Sequence, residues 1–179
     1  MRDRRNASRT IGVAIPVPEP FGAQLQRHRA AFGDPQADAI PAHVTLLPPT
    51  LVSLASLPEI EELLVGVATA ARPFPVRLNG TATFRPVSRV VFVALSEGIG
   101  DCERLQARMR RGPLERELDF PYHPHVTVAH DLPDEALDGA FKELADYRAE
   151  FWVAGFSLYE HGGDGVWRPR LHLHFGTES

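Results

Sequence analysis

Apolar residues recur along the chain with two distinct periods. Alternation with period 2 predicts strands over residues 11–16, 43–47, 74–84, 89–95, 125–129, 150–159 and 166–175. Helical spacing lies between them and predicts helices over 20–32, 56–71, 98–111 and 133–147. Ser53 to Pro58 forms the entry to the second helix, and Asp131 or Asp134 is the expected cap of the fourth. Pro48-Pro49 and the stretch Pro121 to Pro124 read as rim loops.

In order, these elements give strand, helix, strand, helix, strand, and then the same series again. The apolar run at 11 maps onto the run at 89, and His43 maps onto His125. The pattern is that of a duplicated half with an additional C-terminal strand. It predicts an α+β chain of two lobes, roughly 11–85 and 86–179, within one domain at 11–179. The basic segment 1–10 reads as a loose tail.

The matched positions carry the candidate chemistry. His43-Val44-Thr45 and His125-Val126-Thr127 are the same tripeptide, and each continues into apolar residues. In a strand, i and i+2 share a face, so each histidine projects with its threonine while the valine turns to the core. Eight histidines in 179 residues make one His-x-Thr expected about 0.4 times by chance, so one copy means nothing. Two copies at matching places in a repeat are a different matter. Facing each other, they supply two imidazoles for proton transfer near neutral pH and two hydroxyls for phosphate oxygens.

On the strength of PAHVTLLPP at 41–49 and HPHVTVAH at 123–130, the chain resembles the 2H phosphoesterase superfamily, in particular its 2′-5′ RNA ligase and cyclic phosphodiesterase branch. The resemblance implies a bilobal α+β fold, with two antiparallel sheets around a central cleft and helices outside. It implies His43 and His125 as catalytic acid and base, and Thr45 and Thr127 as phosphate ligands. It further implies a metal-independent opening of a 2′,3′-cyclic phosphate on an RNA end or small nucleotide, with reverse 2′-5′ ligation in some members. No cofactor is implied. His130 stands where many relatives carry a basic residue, and is a candidate substrate contact.

Other substrate-binding candidates are Arg85 at a strand end, Tyr122 before the second motif, and Trp167, Arg168 and Arg170 near the last strand. A base stacking on Trp167 beside an arginine on phosphate suits nucleotide recognition, although Trp167 and Tyr122 equally suit packing. His123 with His125, and His172 with His174, place imidazole pairs on strand faces, which leaves a metallohydrolase as one rival. A nucleotide-binding module without turnover is another. No phosphate-binding G-x-x-x-x-G-K loop is present, and the single lysine, Lys142, falls within a predicted amphipathic helix.

Charge and composition narrow the partners. A net charge of −4 with scattered basic residues disfavours tight binding of long nucleic acid. Cys102 is the only cysteine, so a bridge within the chain is excluded and a reducing, cytoplasmic setting is expected. No apolar window reaches the roughly 20 residues of a membrane span.

Overall fold

Ile11, Val13 and Ile15 are buried on one face of the first strand, while Gly12 and Ala14 occupy the other. That division of large and small side chains sets the architecture: the large face makes core, and the small face floors a cleft. The computed structural model describes residues 7–176. Its elements are β1 (Ser8–Pro16), α1 (Phe21–Ala31), β2 (His43–Ser53), α2 (Leu57–Ala70), β3 (Phe74–Thr83), β4 (Val90–Glu97), α3 (Ile99–Met109), β5 (His125–His130), α4 (Asp134–Glu143), β6 (Arg148–Val153), β7 (Gly155–His161) and β8 (Trp167–His174).

Two four-stranded antiparallel sheets result, ordered β2-β1-β7-β8 and β5-β4-β3-β6. The expected bilobal α+β fold is therefore present. The expected boundary near residue 85 does not coincide with the sheets. β3 leaves the first repeat to pair with β4, and β7 returns from the second to pair with β1. The first repeat thus lends β3 to the second sheet, and the second repeat lends β7 and β8 to the first.

Several local expectations are corrected. The run at 150–159 is two strands, because the chain changes sheets at Ala154. Gly155 permits the turn: a Cβ there would collide with the Leu173 carbonyl oxygen. Pro48 and Pro49 lie inside β2 rather than in a loop. β2 is an edge strand, where a missing N–H breaks no ladder bond, and the register shift between Ile11 and Val13 falls opposite them. The fourth helix stops at Glu143, and its N-cap is Pro133 with no side-chain cap, so neither Asp131 nor Asp134 serves as one. Of the segment read as a tail, Ser8–Thr10 are strand, paired with Ser53, Val52 and Leu51. Residues 1–6 lie outside the described ones.

One apolar core runs through both sheets. α1, which follows a strand of the first sheet, packs on β5 of the second; α3, which follows a strand of the second, packs on β2 of the first. The two helices thereby clamp the edges β2 and β5, which approach each other. No helix among the described residues is long and apolar enough to cross a membrane.

Candidate active site

The two His-Val-Thr strands occupy equivalent edge positions and have equivalent irregularities. In β2 the register slips between Thr45 and Leu47, and in β5 between Thr127 and Ala129. Each bulge sits just after the threonine and allows two successive side chains, Leu46-Leu47 and Val128-Ala129, to be buried. Val44 and Val126 are buried too, while His43, Thr45, His125 and Thr127 keep partly exposed edges. The alternation expected from sequence is realised in both copies.

The imidazoles are fixed in the same way. His43 Nδ1 lies 2.8 Å from the Pro41 carbonyl oxygen, and His125 Nδ1 lies 2.7 Å from that of His123. A carbonyl only accepts, so each Nδ1 carries the proton and donates it, leaving Nε2 as the free nitrogen of the neutral ring. Phe84 sets an edge against the His125 ring at 5.0 Å and 88°, and Phe92 approaches it at 5.0 Å. Burial pushes the pKa of His43 down to about 4, against the Pro41 hydrogen bond; the charges of Arg29 and His125 add to the lowering. His125 is also lowered, first by burial and then by His123, with its carbonyl bond opposing. Both rings are therefore held neutral near pH 7, His43 by the wider margin.

A cleft of about 540 Å³ is lined by His43, Thr45, Thr127, His130 and Trp167 together with Arg29. Sequence alone does not single out Arg29. It is 6% exposed and paired with Asp34, itself 3% exposed, through Nε to Oδ2 at 2.8 Å. Asp34 also accepts from the backbone N–H groups of Gln36 (2.8 Å) and His130 (3.1 Å). The carboxylate thus anchors Arg29 to the end of β5. Arg29 is the only lysine or arginine among the described residues lining this cleft. Its signal in the sequence is faint: an arginine in the last turn of a helix, followed by Gly33-Asp34-Pro35.

The remaining candidates divide. Trp167 covers Gly12, where a Cβ would come within 3.3 Å of its ring, and stands in the cleft wall. The Tyr122 hydroxyl donates to the Thr45 carbonyl oxygen at 2.7 Å, bridging the two motif strands. His130 reaches the cleft with an exposed ring 3.3 Å from Asp131. The three arginines do not enter it. Arg85 bonds Asp138 at 2.8 Å, Arg168 grips Asp164 through both terminal nitrogens, and Arg170 pairs with Glu61 and Glu160. Each has an acidic neighbour that satisfies it away from the cleft. Among the described residues no group of three His, Cys, Asp or Glu side chains is arranged to hold a metal ion. His172 instead bonds Ser157 at 2.8 Å and stands beside His174.

Two sheets meet at their edges, each bringing a His-Val-Thr strand there: His43, Thr45 and Thr127 line the cleft, and His125 lines an adjoining cavity that shares Thr45, an arrangement that defines a two-histidine protein of bilobal α+β fold. The chain belongs to the 2′-5′ RNA ligase superfamily, whose family model matches residues 17–165. A protein of Oceanobacillus iheyensis is 27% identical over 150 residues, covering 84% of this chain and 83% of its own length. One of Halalkalibacterium halodurans is 29% identical over 169 residues, covering 93% and 98%. Both carry a phosphoesterase name. Among solved structures, Escherichia coli LigT in its apo form superposes with a TM-score of 0.68 at 21% identity, over 96% of this chain and all of the other (100%). Its complex with 3′-AMP gives 0.69 at 16% identity, with the same coverage. The protein TT0787 of Thermus thermophilus gives 0.65 at 24% identity, over 95% and 100%. The likeness to these structures is one of fold.

Proposed function

We propose that this phosphoesterase-family chain opens a 2′,3′-cyclic phosphate, or a related small cyclic phosphodiester of a nucleotide, by acid and base catalysis from His43 and His125 without a metal. The observation that carries the reading is the matched pair of Nδ1 to carbonyl bonds, which offers two Nε2 atoms, on strands in contact, for proton transfer.

His43, the more strongly held in its neutral form, takes the proton of the attacking water at Nε2. The phosphorus–oxygen bond to one ribose oxygen breaks, and His125 donates its Nε2 proton to that oxygen. The substrate supplies the reason His125 is charged by then: an entering phosphate anion raises the pKa of an adjacent imidazole. Thr45 and Thr127 hydroxyls donate to the non-bridging oxygens, and Arg29 balances the charge that develops there. With a ribose 5′-hydroxyl in place of water as the nucleophile, the same steps in the same direction form a bond from phosphorus to that oxygen, break the bond to the 3′ oxygen and leave a 2′-5′ linkage. The bound 3′-AMP and NADP+ of the LigT structures make small nucleotides the first substrates to try.

The test is turnover of 2′,3′-cyclic mononucleotides and cyclic-phosphate-ended oligonucleotides, with product regiochemistry assigned by phosphorus NMR. His43→Ala and His125→Ala are each expected to lower kcat by about 10²–10⁴ while leaving the far-UV CD spectrum intact. Activity near that of the parent in either variant, or activity lost to a chelator and restored by zinc, overturns the mechanism.

A further inference from the structure

A second cavity, of about 740 Å³, opens on the other side of Thr45. Thr45 belongs to both walls, His43 and Thr127 to the first cavity, and His125 to the second. A phosphate held at Thr45 therefore has one cavity on the side of the base and another on the side of the acid. The volume lies within the about 300–1,000 Å³ usual for small-molecule sites.

Its walls are largely apolar, with Leu46, Phe84, Leu118 and Phe120 among them, but Gln106 and Arg110 break that surface. The two are four residues apart on α3 and its C-cap, so they share a face. Gln106 is 4% exposed, and its side chain makes no hydrogen bond among the described residues. Arg110 Nε is fully buried with no partner. A buried donor left unpaired costs about 1–3 kcal/mol, which selection for stability alone would remove. Arg110, which carries one such donor, and Gln106 stand on one face of one cavity, and together they point to a polar ligand there. Around the mouth, Val87 and Phe120 are 76% and 68% exposed, on the two loops that flank it.

We propose that this cavity is a base-reading subsite that seats a purine, guanine in preference, of the nucleoside whose oxygen leaves under His125. Arginine only donates, so the group facing Arg110 must accept, and the O6 and N7 pair of guanine is the acceptor edge that arginine reads best. Gln106 can both donate and accept, which suits the neighbouring polar edge. A flat base fills the apolar slot and covers Phe120 and Val87. The proposal rests on the two-histidine reading above, because it places the leaving nucleoside on the His125 side.

The experiment compares kcat/KM for guanosine and uridine 2′,3′-cyclic phosphates in the parent, Gln106→Leu and Arg110→Met, with thermal melts and calorimetric binding of guanosine 3′-monophosphate. The parent is expected to favour guanosine about 10-fold. Each variant should bring the ratio towards one, mainly through KM, while melting no lower than the parent, since Arg110→Met removes an unpaired buried donor and Gln106→Leu places an apolar side chain at a buried position. An equal ratio in parent and variants, or variants that melt lower and lose both substrates alike, overturns the subsite and leaves the two-histidine reading standing. No turnover of either substrate by the parent overturns that reading instead. Guanosine 3′-monophosphate binding that Arg110→Met abolishes would then still support the subsite, and binding that it leaves intact would overturn it.

Discussion

The hydroxyl of Tyr122 donates to the carbonyl oxygen of Thr45 at 2.7 Å, joining the loop before one motif to the centre of the other. Burial raises the phenol's pKa well above its ordinary value, so it remains a donor throughout the working range. Tyr122→Phe should cost about 1 kcal/mol of stability, the usual worth of such a bond. It should also lower kcat/KM, because the spacing of the two histidines is then less well held. Urea unfolding checks the first, with a shifted midpoint at unchanged slope; steady-state kinetics checks the second.

Arg29 provides a sharper test than any surface arginine. Arg29→Met should reduce kcat/KM by about 10²–10³, the scale of losing one charge-stabilising donor. Its positive charge lowers the pKa of His43, so its removal should also move the acid limb of the pH profile upward. A merely structural arginine would leave that limb in place. Asp34, stranded in the core, makes this variant less stable; Arg29→Lys, which keeps the charge but not the fork, should fold and show the smaller kinetic loss.

The pH dependence follows from the direction of the two shifts. With both histidines lowered, the kcat/KM profile, which reports the free protein, should be a bell displaced to the acid side of an ordinary imidazole's about 6.5. The kcat profile should have its alkaline limb higher, since bound phosphate raises the acid's pKa. Initial rates between pH 4 and 9 check both.

Folding stability should carry the same signature. Between about 6.5, the value in an unfolded chain, and about 4, the folded value of His43, the unfolded state binds the extra proton. Stability therefore falls as pH falls through this window, by at most about 3 kcal/mol from this group. His43→Gln should flatten that part of the curve in denaturant titrations.

Arg168→Ala and Arg170→Ala make the contrast. Both side chains are exposed and engaged with nearby carboxylates, in pairs worth about 0–1 kcal/mol. Neither should change KM for any cyclic nucleotide. A several-fold rise in KM would return them to the substrate site.

The sequence made the motif strands legible because two signals coincided there: alternation, which assigns faces, and a repeated tripeptide, which assigns place. Histidine and threonine on the same face of β2 and of β5 required nothing else. The exchange of β3 and β7 was not legible, because pairing partners leave no trace in the period of a single strand. The break at Ala154 is hidden for a related reason: Phe151, Val153, Gly155 and Ser157 continue the alternation across it, and only the close approach at Gly155 reveals the change of sheet. The arginines divide according to what stands beside them in space. Arg85 and Arg170 meet carboxylates distant in sequence or across a hairpin, and Arg168 meets Asp164 four residues away, whereas Arg29 is carried to His43 by the packing of α1 on β5, a contact between elements nearly a hundred residues apart.

The strand exchange also sets an order of construction. The second sheet is one unbroken stretch, Phe74 to Val153, and can be assembled when that stretch has left the ribosome. The first has only the β1–β2 pair, joined through α1, until Gly155 to His174 arrives, and two strands alone are marginal in water. The nascent chain therefore holds both histidines well before it holds the wall that positions the first, and the cleft is completed only when β7 and β8 join β1.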